Sequence, residues 1–74
     1  MVSVRRQWGQ AIREVRKSQK RSQAWLAQQV GVDQSAVSLW ETGVRAPSLE
    51  IQLEIARALG IPARVLFQYP AEVA

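Results

Sequence analysis

The amino-acid sequence predicts an all-α domain of four to five helices around one compact core. Apolar residues recur at spacings of three and four along most of the chain, which is the spacing of one helix face. Serine or aspartate precedes four of these apolar segments, and glycine follows two of them, as helix caps do. No convincing strand pattern is present.

The first two helices are bounded by clear capping signals. The first is predicted to begin after Ser3 and end near Ser18, with an inner face of Val4, Trp8, Ala11, Ile12 and Val15. The second is predicted over 23–30, because Ser22 can cap it and Gly31 follows at once. Its inner face should contain Leu26, Ala27 and Val30.

The remaining helices follow the same logic. Asp33 is expected to cap a third helix from Gln34 to about Glu41, with Val37 and Trp40 inward. Ser48 should cap a fourth that Gly60 ends, with one side lined by Leu49, Leu53, Ala56 and Leu59 and with Ile51 and Ile55 beside them. The segment "PARVLF" predicts a short fifth helix. We expect one domain over 1–69 and a short tail over 70–74.

Composition excludes several classes of function. The chain of 74 residues has no Cys and no His, which excludes disulfides, zinc fingers, thiolate nucleophiles and imidazole catalysis. We therefore expect no enzyme, no metal and no cofactor. No long apolar run is present, so we expect a cytoplasmic protein without a membrane partner.

The positive charge is unevenly distributed. The net charge is +4, and the residues up to Arg45 hold eight Lys or Arg against three acidic residues. A basic face favours polyanions such as nucleic acid through the release of counterions. A solvated surface of ordinary positive charge is the other explanation, and charge alone leaves both open.

The second and third helices are joined by the very short turn "VGVD", as a helix-turn-helix requires. The motif covers about 23–42. Ala27 is small where the two helices should cross, and Gly31 permits the sharp turn.

The stretch "SQAWLAQQVGVDQSAVSLWETGVRAPSLEIQLEIARALGI" resembles the DNA-binding domain of the phage repressor and Cro family, also called the xenobiotic-response-element (XRE) family. The resemblance runs from about Trp8 to Phe67. It rests on Gln23, Leu26-Ala27, Gly31, Val37-Ser38, Trp40-Glu41, Gly43, Pro47, Ile55-Ala56 and Leu59. It implies a lambda-repressor-like fold whose members bind double-stranded operator DNA, usually as homodimers, with the motif's second helix in the major groove.

Base contacts are expected from the third helix, because the first residues of a recognition helix meet base edges. Gln34 and Ser35 are the leading candidates, and Ser38 lies on the same face as Gln34. Leu39 should project outward, since Trp40 belongs to the core. Two explanations for Leu39 stay open: contact with a thymine methyl, or a dry contact with a neighbouring helix or a partner protein.

Phosphate contacts are expected on both sides of the motif. By resemblance, Gln23 is the family's phosphate-contacting Gln at a helix N-terminus. The other candidates are Ser22, Lys20, Arg21, Arg45 and Arg16. The resemblance also implies a structural ion pair between Arg16 and Glu41.

A dimer or partner surface is expected from residues that the motif does not use. Trp25 should be largely exposed and is a candidate for such a surface, or else lies flat over a neighbouring side chain. By resemblance the other candidates are Ile61, Val65, Leu66 and Phe67, although Leu66 and Phe67 can equally close the core.

The favoured function is a sequence-specific, bacterial or phage-encoded DNA-binding transcriptional regulator, a repressor, that binds a near-palindromic operator as a dimer. A phage repressor, a controller of a restriction-modification operon and an antitoxin all fit. The alternative is a protein-interaction module, or an antitoxin-type partner-binding protein, on the same fold.

Overall fold

The computed structural model describes residues 3–69, and these form helices with no strand among them. The helices are α1 Val4–Ser18, α2 Gln23–Val30, α3 Gln34–Glu41, α4 Leu49–Leu59 and α5 Ala63–Leu66. The predicted all-α class is confirmed, and the predicted bounds of α1 to α4 agree with the observed ones. The predicted tail over 70–74 lies outside the described residues. None of the helices described is long and apolar enough to cross a membrane.

The side chains of three serines cap helices as predicted, whereas Asp33 occupies the predicted cap position of α3 without a side-chain bond. The hydroxyls of Ser3, Ser22 and Ser48 each accept a hydrogen bond from the amide three residues further on. Asp33 has the extended backbone of a cap residue but makes no capping bond with its side chain. Its carbonyl instead accepts the amide of Ala36 at 3.0 Å. The predicted start of α3 after Asp33 is therefore correct, although the aspartate side chain takes no part in the cap.

Helix α1 ends in a reversed turn built on a lysine. Lys20 has φ 58, a left-handed conformation that favours glycine. Its amide donates to the carbonyl of Lys17 at 2.9 Å, and the Arg21 amide donates to the carbonyl of Arg16 at 3.0 Å. This pair of bonds is the Schellman arrangement, which closes the helix and directs the chain into α2.

The core lies where α1 packs on α3 and α5 and where α2 packs on α3 and α4. Its buried apolar residues are Ile12, Leu26, Ala27, Val37, Trp40, Ile55, Ala56, Leu59, Leu66 and Phe67. Leu66 and Phe67 are 4% and 1% exposed, which agrees with the expected alternative that they close the core. Phe67 packs edge-on against Trp8, with ring centroids 5.6 Å apart.

Helices α1 and α3 approach each other closely at Gly9, a position that the sequence analysis missed. A Cβ atom on Gly9 would lie 2.1 Å from the carbonyl oxygen of Trp40 and 2.9 Å from that of Glu41. Only glycine leaves room for the α3 backbone at this crossing. Gly9 therefore fixes the distance between α1 and the end of α3.

The predicted inner face of α4 is wrong at two positions. Leu49 and Leu53 are 64% and 53% exposed, whereas Gln52 is buried together with Ile55, Ala56 and Leu59. The side-chain Nε2 of Gln52 donates to the carbonyl of Pro47 at 2.9 Å, and its Oε1 accepts a hydrogen bond from the Tyr69 hydroxyl at 2.7 Å. These bonds satisfy the polar atoms of the buried side chain.

Candidate nucleic-acid interface

A buried ion pair fixes α3 against α1. Arg16 donates from Nε to Glu41 Oε2 at 2.7 Å and from Nη2 to Glu41 Oε1 at 2.9 Å. The side chains are only 9% and 2% exposed. The hydrogen bonds to Glu41 raise the pKa of Arg16 above its ordinary value. Arg16 also donates from Nη1 to the carbonyl of Arg21 at 2.7 Å, which ties in the turn before α2.

The ion pair continues as a chain of polar side chains toward the surface. Gln23, the first residue of α2, donates from Nε2 to Glu41 Oε1 at 3.0 Å. Gln34, the first residue of α3, lies 3.5 Å from the Gln23 oxygen through its own Nε2. This row of hydrogen-bonded side chains joins α1, α2 and α3 and ends at the exposed side-chain amide of Gln34. Gln23 and Gln34, two of the residues predicted to contact DNA, are thereby brought side by side.

The outward face of α3 carries the predicted base-contacting residues. Val37, Trp40 and Glu41 are buried on the opposite side of the helix. Gln34 and Ser35 are exposed, while Ser38 and Leu39 are partly exposed. A helix of this kind presents amide, hydroxyl and methyl groups together, which is the set that reads base edges in the major groove.

Leu39 lies in a shallow groove rather than standing free of the surface. The groove is shared with Ser35 and Arg45 and is also lined by Gly31, Val32, Asp33 and Ala36. The Leu39 carbonyl accepts the amides of Val44 at 3.0 Å and Arg45 at 3.2 Å. These bonds fix the loop after α3, so that Arg45 sits beside the exposed face of α3.

The segment between α1 and α2 holds the other predicted phosphate contacts. Lys20, Arg21 and Ser22 are all exposed. Arg21 stacks over the ring of Trp25, with Cζ 4.4 Å from the ring centroid. Trp25 is partly buried against the core, so its predicted large exposure is wrong. The Trp25 ring therefore contacts both Arg21 and the core.

Arg16 is placed differently from the other predicted phosphate contacts. It is 8% exposed, and its nitrogens already donate to Glu41 and to the Arg21 carbonyl. This geometry favours a structural role over a phosphate contact.

Within residues 3–69 no group of three or more His, Cys, Asp or Glu is placed to hold a metal ion.

Comparison with known proteins relates this arrangement to transcription regulators. The restriction-modification controller protein C.AhdI from Aeromonas hydrophila is 40% identical, covering 84% of this chain and 94% of its own, with a TM-score of 0.80. The hypothetical transcription factor NHTF from Neisseria is 31% identical, covering 92% and 78%, with a TM-score of 0.83. The clp gene regulator ClgR from C. glutamicum shares the fold at 24% identity, covering 92% and 88%, with a TM-score of 0.86.

No curated protein matches the chain at a significant level. The model of the helix-turn-helix family matches residues 12–66, which include the whole of α2 and α3 and the polar chain behind them. The family resemblance noted in the sequence is confirmed. The chain belongs to the XRE-type helix-turn-helix family of DNA-binding transcription regulators.

Proposed function

We propose that the chain is a homodimeric repressor that reads a near-palindromic operator with α3 in the major groove. The observation that carries this proposal is the outward face of α3, held from behind by the Arg16–Glu41 pair. A rigid support matters because base readout needs side chains at fixed positions. The protein would act on DNA in the cytoplasm of a bacterial cell.

Base readout in this proposal combines polar and apolar contacts. Gln34 can bond N6 and N7 of adenine in a bidentate manner, and Ser35 and Ser38 can serve several bases. Leu39 packs its methyl groups against a thymine methyl, which suits its position on a groove of α3 rather than in the core. We therefore favour the thymine contact over a partner-protein contact for Leu39.

Phosphate contacts flank this face on both sides. Arg45 lies in the loop after α3, and Lys20 and Arg21 lie in the segment before α2. All three residues are exposed, as a contact with phosphate requires. Ser22 accepts the Trp25 amide at 2.9 Å and retains its own hydroxyl proton for a phosphate oxygen. Gln23 sits at the α2 N-terminus, where backbone amides favour an anion. We leave Arg16 out of this set because it is buried.

The dimer surface is proposed at α5 and the turn before it. Val65 is 52% exposed and lines an apolar groove with Ile61, Ala11 and Val15. A two-fold dimer would place two copies of α3 one DNA turn apart, about 34 Å, and so requires an operator with two-fold symmetry.

Among the regulators that fit the sequence, we favour a controller of a restriction-modification operon. The support is the 40% identity to C.AhdI, itself a restriction-modification controller protein. A protein-interaction module or antitoxin is less favoured, because Trp25, its main candidate contact, already packs against Arg21 and the core.

Selection of bound duplexes from a random DNA pool tests the proposal. We expect enrichment of a near-palindrome whose half-sites are one helical turn apart and contain adenine or thymine opposite α3. The affinity of the winner should fall steeply with salt. If no sequence is enriched, and the protein binds all duplexes weakly and in a salt-dependent manner, sequence-specific reading is contradicted.

A further inference from the structure

We propose that one face of α1 is a second DNA-backbone surface, which binds phosphates flanking the operator. This face, here called the α1 basic stripe, consists of Arg6, Gln10, Arg13 and Lys17. The inference rests on the proposed function, since it extends the footprint of the same protein on the same duplex. None of these residues belongs to the helix-turn-helix itself.

The stripe is a continuous exposed face of one helix. Its members follow each other at spacings of four, three and four, which places them in one row along α1. All of them are exposed. They line one side of an open groove whose other side is formed by Glu41 and Thr42, at the end of α3. The recognition helix and the stripe therefore border the same depression.

The cations of the stripe are available to a polyanion. In the part of the chain that the structure describes, the ion pairs are Arg16–Glu41 and Arg57–Glu54, and neither includes a residue of the stripe. Glu41 lines the groove, but Arg16 already neutralises it. Glu14, also at the groove, is the remaining acidic neighbour. Arg6, Arg13 and Lys17 thus outnumber the free carboxylate and keep the groove positive.

Both ends of the stripe adjoin segments that we propose as phosphate contacts. At one end, a Cβ on Gly43 would lie 2.9 Å from Cα of Arg6, so Arg6 abuts the loop that carries Arg45. At the other end, Lys17 is bonded through its carbonyl to the amide of Lys20 at 2.9 Å. From Arg6 to Lys17 the helix spans about 16 Å. The stripe therefore adjoins the loop of Arg45 at one end and the turn of Lys20 at the other.

The side chains of the stripe fit the DNA backbone better than a protein groove. They include no apolar residue, so an amphipathic partner helix would find nothing to bury. Flexible, hydrated cations contact phosphates without reading bases and gain affinity through counterion release. We therefore assign the stripe to affinity and footprint length, and not to choice of sequence.

The test compares two operator duplexes, one minimal and one extended by about ten base pairs on each side, roughly one helical turn. Binding is measured against salt for the natural chain and for Arg13→Gln/Lys17→Gln. The matched control is Arg5→Gln/Arg57→Gln, which removes the same charge from exposed positions outside the stripe and outside the proposed dimer surface. Thermal unfolding of each variant checks its fold, and Lys17→Gln alone serves if the double variant is unstable.

We expect the natural chain and the control to bind the extended duplex with a steeper salt slope than the minimal one. The stripe variant should lose that difference, by about 0.9 in slope for each phosphate contact removed, with its base preference unchanged. An unchanged difference between the two duplexes in the stripe variant would overturn the proposal. If the natural chain shows no preference between the operator and unrelated DNA, the proposed function is contradicted instead.

Discussion

Arg16 of α1 and Glu41 of α3 form a bidentate ion pair, with bonds of 2.7 and 2.9 Å, in a site that is almost closed to solvent. Glu41 is the last residue of α3 and also accepts a hydrogen bond from Gln23 of α2. One carboxylate therefore sets the mutual positions of three helices. This contact therefore fixes the orientation of the exposed face of α3.

Replacement of Glu41 by Ala should destabilise the protein by about 3–5 kcal/mol, because it leaves the buried Arg16 cation without a partner. A domain this small has only a few kcal/mol of net stability, so the variant should be largely unfolded. Urea denaturation followed by tryptophan fluorescence measures the change. The double variant Arg16→Met/Glu41→Leu is the control and should recover most of the loss. A double variant no more stable than Glu41→Ala would contradict this account of the pair.

Gly9→Ala should separate α1 from α3, since its new methyl group would lie 2.1 Å from the Trp40 carbonyl oxygen. We expect a loss of about 3 kcal/mol or more in the free energy of unfolding, at the upper end of overpacking. Gly31→Ala is the matched control: it has no atom within 4 Å and a φ of +83, so it should lose only about 1–2 kcal/mol. Equal losses for the two variants would show that the helix crossing tolerates a side chain.

Lys20→Gly should stabilise the fold and weaken DNA binding at the same time. Glycine relieves the left-handed strain at φ 58, which is worth up to about 1 kcal/mol, but removes a proposed phosphate contact. Lys20→Ala is the control, because it removes the charge and keeps the strain. Both variants should lose equal affinity, and only Lys20→Gly should raise the melting temperature. Unequal losses of affinity would argue against a charge contact.

Val65→Glu should convert the proposed dimer to monomer. Val65 is 52% exposed on the apolar groove beside Ile61, and a buried charge at a two-fold contact would face its own copy. Leu53→Glu is the control, since Leu53 is similarly exposed at 53% but lies on α4. Sedimentation of both variants measures the association. A monomeric Leu53→Glu protein with an intact Val65→Glu dimer would move the interface to α4.

The helices were predictable because their signals are local. The Ser22 hydroxyl caps α2 through the amide of Trp25, and Gly31 at φ 83 ends the helix. Each signal involves residues within one turn, so spacing alone finds it. The inward position of Trp40 was predictable for the same reason, because it lies three residues after Val37.

The errors occurred where residues outside a helix decide which of its side chains are buried. Gln52 takes a core position that apolar spacing would give to leucine, because Pro47 and Tyr69 satisfy its amide. Trp25 is partly covered because the chain reverses at Lys20 and brings Arg21 over its ring. No helical period encodes these contacts.

The site was predictable to a similar degree and for similar reasons. The outward residues of α3 follow from the helical period, whereas the close approach at Gly9 depends on how α1 crosses α3. A glycine inside a strong helical pattern was the one available signal, since it weakens the helix unless packing requires it.

The most direct test of base reading by α3 compares Gln34→Ala with Arg45→Ala, each measured on the selected operator and on unrelated DNA. Gln34→Ala should weaken operator binding about tenfold or more, equivalent to 1–3 kcal/mol for a bidentate contact, and leave binding to unrelated DNA unchanged. Arg45→Ala should weaken both equally and reduce the salt slope by about 0.9 for each subunit of the dimer, or about 1.8 in all. Equal losses on both DNAs for Gln34→Ala would contradict the claim that α3 reads the sequence.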